Sequence, residues 1–306
     1  MSKPLVSVIT GYYNRKDNIL PSINSILNQS YENIEYIIFD DASTDGTSDI
    51  LSSIKSERLL LVRHKINLGF TRGLIDAIRL SRGTYIALHG AGDYSYKDRV
   101  ALQVEHMEEN KHVGLVGCHS LSMNYGGREY YLNTKKTTFK HGEVLIRRSA
   151  LEETGGYNSI YRFGQFTPMK AKISERYDIG CVERILYKQY LFLEGVERNA
   201  SKKYAQLYYR KMHQQIKKAD VGSRMFDEYR LPVINNAKIN KAIYLSRLMS
   251  ERSVETDELF DCSLKENNPY LHLLKNSSIN APRFFVVHVL LIAPIILRRI
   301  VTRMSR

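Results

Sequence analysis

VSVITGYYNRKDNILPSINSILNQSYENIEYIIFDDASTDGTSDIL, residues 6–51, switches its hydrophobic period from strand to helix and back again. The runs LVSVI (5–9) and IEYIIF (34–39) are short and almost continuously apolar, the pattern of strands buried on both faces of a parallel sheet. Between them Ile19, Leu20, Ile23, Ile26 and Leu27 recur at helical spacing. Pro21 is tolerable there only because it falls in the first turn. The alternation continues outward from this stretch. RLLLV (58–62), TYIAL (84–88) and HVGLVG (112–117) read as further strands, with helices over 71–81 and 97–110. Strand, helix, strand, helix demands right-handed crossovers, so the expected fold class is α/β, a doubly wound and mostly parallel sheet with flanking helices.

Sheets of this kind bind ligands beyond the carboxyl ends of their strands. The informative segments are therefore TGYYN (10–14), DDASTDGT (40–47), HKINLGFTRG (64–73) and HGAGD (89–93). The first two are polar and turn-forming. Asp40, Ser43 and Asp45 suit a turn held by side-chain to backbone bonds. No G-x-G-x-x-G follows the first strand, which argues against a dinucleotide site.

The chain has 306 residues, 43% of them hydrophobic and 25% charged, enough for a large soluble core. A net charge of +13 favours an anionic partner: nucleic acid, anionic lipid or a phosphorylated small molecule. The segment KKYAQLYYRKMHQQIKK (202–218) interleaves aromatic and basic residues, but no nucleic-acid fold signature accompanies it. It reads as a solvated helix, and nucleic acid is not an expected partner. Cys118, Cys181 and Cys262 are odd in number and far apart, without metal-ligand or disulfide spacing, as in a reducing compartment. No signal-peptide pattern precedes the first strand.

Past residue 120 the periodicity is mixed. NYGGREYY (124–131) reads as a turn between two strands, and KHGEVLIRRSALEETGGY (140–157) as a loop, a strand, a helix and a Gly-Gly stop. Residues 196–280 are polar, rich in Lys and Tyr, and read as helical. Residues 281–306 form a basic, interfacial segment. Its apolar run from Phe284 to Leu297, broken by His288 and Pro294, is shorter than the roughly twenty residues a spanning helix needs. Arg298, Arg299, Arg303 and Arg306 follow it, which suits an anchor on an anionic membrane surface. A buried helix or an oligomer contact is the other reading.

The segments VSVITGYYNRKDNILPSINSILNQSYENIEYIIFDDASTDGTSDIL and NLGFTRGLIDAIRLSRGTYIAL together resemble the N-terminal half of an inverting family 2 glycosyltransferase with the GT-A fold, of the bacterial surface-polysaccharide type. The resemblance is close from residue 5 to about 117 and looser to about 193, which delimits a GT-A-like domain over 1–195. It implies transfer of a sugar from a nucleoside-diphosphate donor, most naturally a UDP-sugar, to a saccharide or lipid-linked saccharide acceptor, with inversion. By position it implies that Thr10, Tyr13 and Asn14 line the nucleoside pocket, with Tyr13 over the base, and that Asp41 accepts a hydrogen bond from the base. Ser43, Asn67 and Arg72 complete the expected donor site, Arg72 offering a guanidinium fork to the diphosphate.

The resemblance also implies Mg²⁺ or Mn²⁺ held by an Asp-x-Asp, since hard oxygen ligands suit those ions. Aligned without gaps, the family's D-x-D-D falls on Gly90-Ala91-Gly92-Asp93. Three arrangements are open. Asp93 swings inward and holds one metal, with help from His89; or arginines and lysines carry the leaving-group charge without metal; or the fold persists without transfer chemistry. The family's later carboxylates correspond to QFTPMKAKI (165–173), where Phe166 and Pro168 accept no proton. Asp93, His141, Glu175 and Asp178 are candidate substitutes for the base, and His141 draws attention because imidazole titrates near neutrality. The resulting expectation is a transferase peripheral to the cytoplasmic face of a membrane, or else a non-catalytic nucleotide-sugar-binding or assembly subunit.

Overall fold

The structure is a computed structural model and describes residues 3–124, 129–159, 161 and 164–191. The expected helical region 196–280 and the basic segment 281–306 lie outside the described residues. Among the described residues no helix is long and apolar enough to cross a membrane.

The first half follows the sequence pattern closely. Strands β1 (Val6–Tyr12), β2 (Ile34–Asp40), β3 (Leu59–Arg63) and β4 (Tyr85–Leu88) alternate with helices α1 (Ile19–Leu27), α2 (Thr47–Ser53) and α3 (Phe70–Leu80). All three strand pairings are parallel, in the order β3-β2-β1-β4. Pro21 sits in the first turn of α1, where its missing N–H costs nothing. Both faces of β1 are covered, which is why its run is continuous. Val6 and Val8 pack with Ile19, Ile23 and Ile26 of α1, while Ile9 packs with Leu74, Ile75 and Ile78 of α3 on the opposite face. Each such aliphatic side chain contributes about 1.5–3 kcal/mol by leaving water.

The second half is mixed. It contains β5 (Tyr94–Ser95), α4 (Arg99–Glu109), β6 (Val113–Asn124), β7 (Glu129–Asn133), β8 (Leu145–Arg147), α5 (Arg148–Glu153), α6 (Phe166–Ile173) and β9 (Asp178–Leu191). The full order is β3-β2-β1-β4-β8-β6-β9-β5, with β7 on β6. Strand β8 runs antiparallel to both β4 and β6, whereas β9 is parallel to β6. Val100, Val104 and Met107 of α4 join the α1 layer, and Leu151, Met169 and Ile173 join the α3 layer. The sheet is thus the centre of three layers. The Gly-Gly stop after α5 holds: Gly155 and Gly156 both have positive φ.

Candidate functional site

The tips of β1, β2 and β3 are stitched to one another by side chains. Beyond β1, Asn14 adopts a left-handed φ of 47°, and its amide donates to Ser43 Oγ at 2.9 Å while its Oδ1 accepts from the Thr44 amide at 2.8 Å. Ser43 Oγ in turn donates to Asp40 Oδ1 at 2.5 Å, and the Ser43 amide reaches the same oxygen at 3.1 Å. Asp45 accepts from the Thr47 and Lys16 amides, which holds its carboxyl below the usual range against the opposing effect of burial. The turn-holding roles of Asp40, Ser43 and Asp45 are all realised.

Asp41 is a deeper node. Its Oδ1 accepts from His64 Nδ1–H and the Leu68 amide, each at 2.8 Å, and its Oδ2 accepts from the Gly69 amide at 2.8 Å. Asn67 Nδ2 donates to the Asp41 carbonyl at 3.2 Å. Three of the four lone-pair directions of the carboxylate are therefore used to join β2 to the turn before α3. Tyr13, by contrast, stands 52% exposed beside this laced rim, free to cover a flat ring. Arg72 lies in the first turn of α3 and is partly exposed. Thr10 lies within β1, short of its tip. It is buried within β1, and its hydroxyl pairs with Tyr36 Oη at 2.9 Å, because strand alternation turns it into the core.

The tip of β4 is built differently. Asp93 turns inward and is buried. Its Oδ2 accepts from Tyr187 Oη at 2.6 Å and its Oδ1 from the Tyr190 amide at 2.9 Å, so β9 clamps the turn. Burial raises its pKa to about 6, against the lowering effects of these two donors and of the nearby charges of Arg15 and Lys140. The folded-back carboxyl occupies the space that a side chain at position 90 would need. A Cβ on Gly90 would sit 2.2 Å from Asp93 Oδ2 and 3.0 Å from Tyr187 Oη. Gly142 closes the other side: a Cβ there would lie 2.2 Å from Tyr187 Oη and 2.9 Å from the Gly90 nitrogen.

His89 is spoken for as well. Its Nε2 pairs with Ser22 Oγ at 2.9 Å and its Nδ1 with Ser95 Oγ at 3.1 Å, and burial keeps the ring neutral. It offers no nitrogen to a metal. Among the described residues no three His, Cys, Asp or Glu side chains converge as a metal site. The residues at this tip do not fit the Asp-x-Asp ion that the resemblance implies.

His141 sits at the start of a short 3-10 turn, His141–Glu143. Its Nε2 pairs with Tyr157 Oη at 2.6 Å, Gln165 Nε2 approaches Nδ1 at 3.4 Å, and its ring stacks on Phe166 with centroids 5.0 Å apart. This aromatic enclosure pushes its pKa down to about 3, which makes it a poor proton acceptor at neutral pH. Phe166 therefore packs against His141 at the start of α6, and Pro168 is buried within that helix. The sheet register also separates Asp178 from the tips. Asp178 pairs with Val113 at the start of β6, whereas Tyr187 pairs with Ser120 near its end. Glu175 precedes β9 at that same remote end and is exposed.

Several groups at the tip carry no sequence signal of their own. Arg99 is fully buried at the start of α4, donates from Nη1 to the Leu88 and Gly142 carbonyls, and lies 5.5 Å from the Tyr187 ring centre. Glu143 is buried, with Oε1 accepting from the Lys140 amide at 2.9 Å, and burial raises its pKa to about 7. Lys140 Nζ donates to Ser122 Oγ of β6 and Gln189 Oε1 of β9. Only the pairing of β6 with β9 brings these partners together.

The family model described as glycosyl transferase family 2 matches residues 7–178. A putative glycosyltransferase, EpsE, of Bacillus subtilis is 37% identical over 174 residues, covering 53% of this chain and 63% of that protein. The Escherichia coli protein WfaP, a UDP-Glc:alpha-D-GlcNAc-diphosphoundecaprenol beta-1,3-glucosyltransferase, is 38% identical over 107 residues, 35% of this chain and 43% of that one. In each case the matched part is less than two thirds of the relative's own length. Among solved structures, S. aureus TarS 1-349 in complex with UDP superposes with a TM-score of 0.57 at 15% identity, over 83% of this chain and 76% of that one. The mannosyltransferase PcManGT of Pyrobaculum calidifontis, in complex with GDP-Man and Mn2+, gives 0.56 at 17%, over 87% and 81%. At such identities these two establish the GT-A-like fold alone.

Proposed function

Because the chain belongs to glycosyl transferase family 2, we propose that it transfers a sugar from a nucleoside-diphosphate donor, a UDP-sugar in the first instance, to a saccharide acceptor with inversion. The observation that carries this reading is the laced rim of Asn14, Asp40, Asp41 and Ser43 beneath an exposed Tyr13. It is a hydrogen-bonded rim at the carboxyl ends of parallel strands, where a base and ribose would be held at little entropic cost. In the transfer, an acceptor hydroxyl oxygen bonds to the anomeric carbon. The bond from that carbon to the phosphate oxygen breaks, and its electron pair leaves with the diphosphate. The hydroxyl proton passes to a carboxylate, and Asp93 at the turn after β4 is our assignment, since each of its oxygens keeps one lone-pair direction beyond the bonds to Tyr187 Oη and the Tyr190 amide. Its pKa of about 6 suits proton transfer near neutrality, whereas that of His141, about 3, does not. A Mg²⁺ or Mn²⁺ ion would meet at this tip one carboxylate with both oxygens engaged, and no step is routed through it.

The acceptor we assign is a lipid-linked saccharide at the cytoplasmic face of a membrane. The likeness to WfaP and the basic apolar segment 281–306 support this, and removing 281–306 should release the protein from anionic liposomes. Unchanged liposome binding by the shortened chain would refute the anchor. Turnover is tested by following nucleoside diphosphate release from a panel of nucleotide sugars in the presence of acceptor. The Asp93→Asn variant should lose roughly a hundredfold or more in rate while still binding donor. A second reading is favoured by Gly90, Gly92, Phe166 and Pro168 standing where carboxylates would be needed. In it the protein binds the donor and serves a partner transferase without turnover. Donor binding with no diphosphate release from any acceptor would select it.

A further inference from the structure

We infer that the donor's diphosphate is held here without a divalent metal, by side-chain cations flanking the Gly90–Asp93 turn, of which Lys140 is the chief. This rests on the nucleotide-sugar reading above and concerns how that ligand's charge is met.

The first argument is the donor set. Hard cations such as Mg²⁺ need several oxygen ligands. The turn supplies Gly90, Ala91 and Gly92, which ligate through no side chain, and Asp93, whose oxygens hold Tyr187 and Tyr190. The change is not confined to missing ligands. Asp93 fills the volume beside Gly90, so a restored carboxylate at 90 would displace the clamp rather than complete a site.

The second argument is what surrounds the turn instead. Segment 140–142 lies against it, with Gly142 packed on the Gly90 nitrogen and Tyr187 Oη. Lys140 Nζ is steadied by Ser122 and by Gln189, the residue before the Tyr190 whose amide holds Asp93. Both partners of the ammonium are neutral, and among the described residues it pairs with no carboxylate. Arg15 approaches from the opposite flank, beyond β1, and its charge and that of Lys140 both act on Asp93. A lysine ammonium is a compact point charge well suited to phosphate oxygens, and two such charges match the diphosphate in sign and spread.

Calorimetric titration of UDP and GDP into the full chain, in EDTA and then in Mn²⁺, tests the inference. The nucleotide that binds should do so with a Kd that differs by less than about threefold between the two buffers. Lys140→Gln should weaken binding by roughly tenfold, the loss of one charge-assisted bond, and Lys140→Arg should recover most of it. Circular dichroism of each variant reports on its folding, and the wild-type comparison stands without any variant. Binding that appears only with Mn²⁺, or wild-type affinity in a folded Lys140→Gln protein, overturns the inference and leaves the nucleotide reading intact. No binding of either nucleotide in either buffer removes both.

Discussion

The two halves of the sheet use the same kind of polar residue in different ways. On the β3-β2-β1 side, carboxylates accept from backbone amides across loops: Asp40 from Ser43, Asp41 from Leu68 and Gly69, Asp45 from Thr47. Asp40 and Asp41 are themselves buried, and these bonds lace the strand tips together. On the β8-β6-β9 side, carboxylates are taken inside, where burial raises Asp93 to about 6 and Glu143 to about 7. Burial favours their protonated forms relative to a free side chain. The lesson is that the same residue type serves two ends here: on one side it laces loops to strand tips, and on the other it is held in an environment that favours its protonated form.

The largest expected effect attacks the side on which Asp93 is buried. Gly90→Asp forces a Cβ to 2.2 Å from Asp93 Oδ2 and buries a second carboxylate, so urea unfolding should register a loss of about 4–5 kcal/mol without creating a Mn²⁺ site. A stable variant that binds Mn²⁺ would erase the contrast between the halves. Asp41→Ala strikes the other side. It strands the Leu68 and Gly69 amides and His64, with an expected cost of about 3–4 kcal/mol in the same assay and loss of nucleotide binding.

The next effect sharpens the contrast through pH. Glu143 begins from an ordinary 4.5 and is raised to about 7 in the fold. The native state therefore holds the proton longer than the unfolded chain, and stability present below pH 4.5 is lost as pH climbs towards 7. The loss is on the order of 3 kcal/mol, and Glu143→Gln should flatten this part of the profile in urea melts at pH 4.5 and 8. Asp93 adds the same sign between 3.8 and about 6. The smallest effect is Ser43→Ala, about 1 kcal/mol, since Asp40 keeps the backbone amide of residue 43.

How much of this was legible beforehand divides along the same line. Strands β1 to β4 and their helices could be read from the chain because continuous apolar runs and helical spacing are local signals. The turn roles of Asp40, Ser43 and Asp45 were legible for the same reason. The burial of the Thr10 hydroxyl against Tyr36 was not legible, because a motif position says nothing about which face of the strand it occupies. The clamp on Asp93 was not legible at all. It depends on Ser120 opposing Tyr187, a register set by irregularities around His119 that no sequence period reports. The lowered basicity of His141 arises from Tyr157 and Phe166, which come from separate segments to enclose its ring. Lys140 carries no local signal, since its partners sit on β6 and β9, 18 and 49 residues away.

Arg99 has a bearing on how such a protein can be cut or recombined. One guanidinium nitrogen ties the Leu88 carbonyl in the parallel half to the Gly142 carbonyl in the mixed half, at 3.1 and 3.2 Å, with the side chain wholly enclosed. A fragment ending before residue 140 would open that enclosure and forfeit one of the two bonds. The parallel half is thus not a transplantable module: any chimera has to splice on the far side of the 3-10 turn, or carry a neutral residue at position 99.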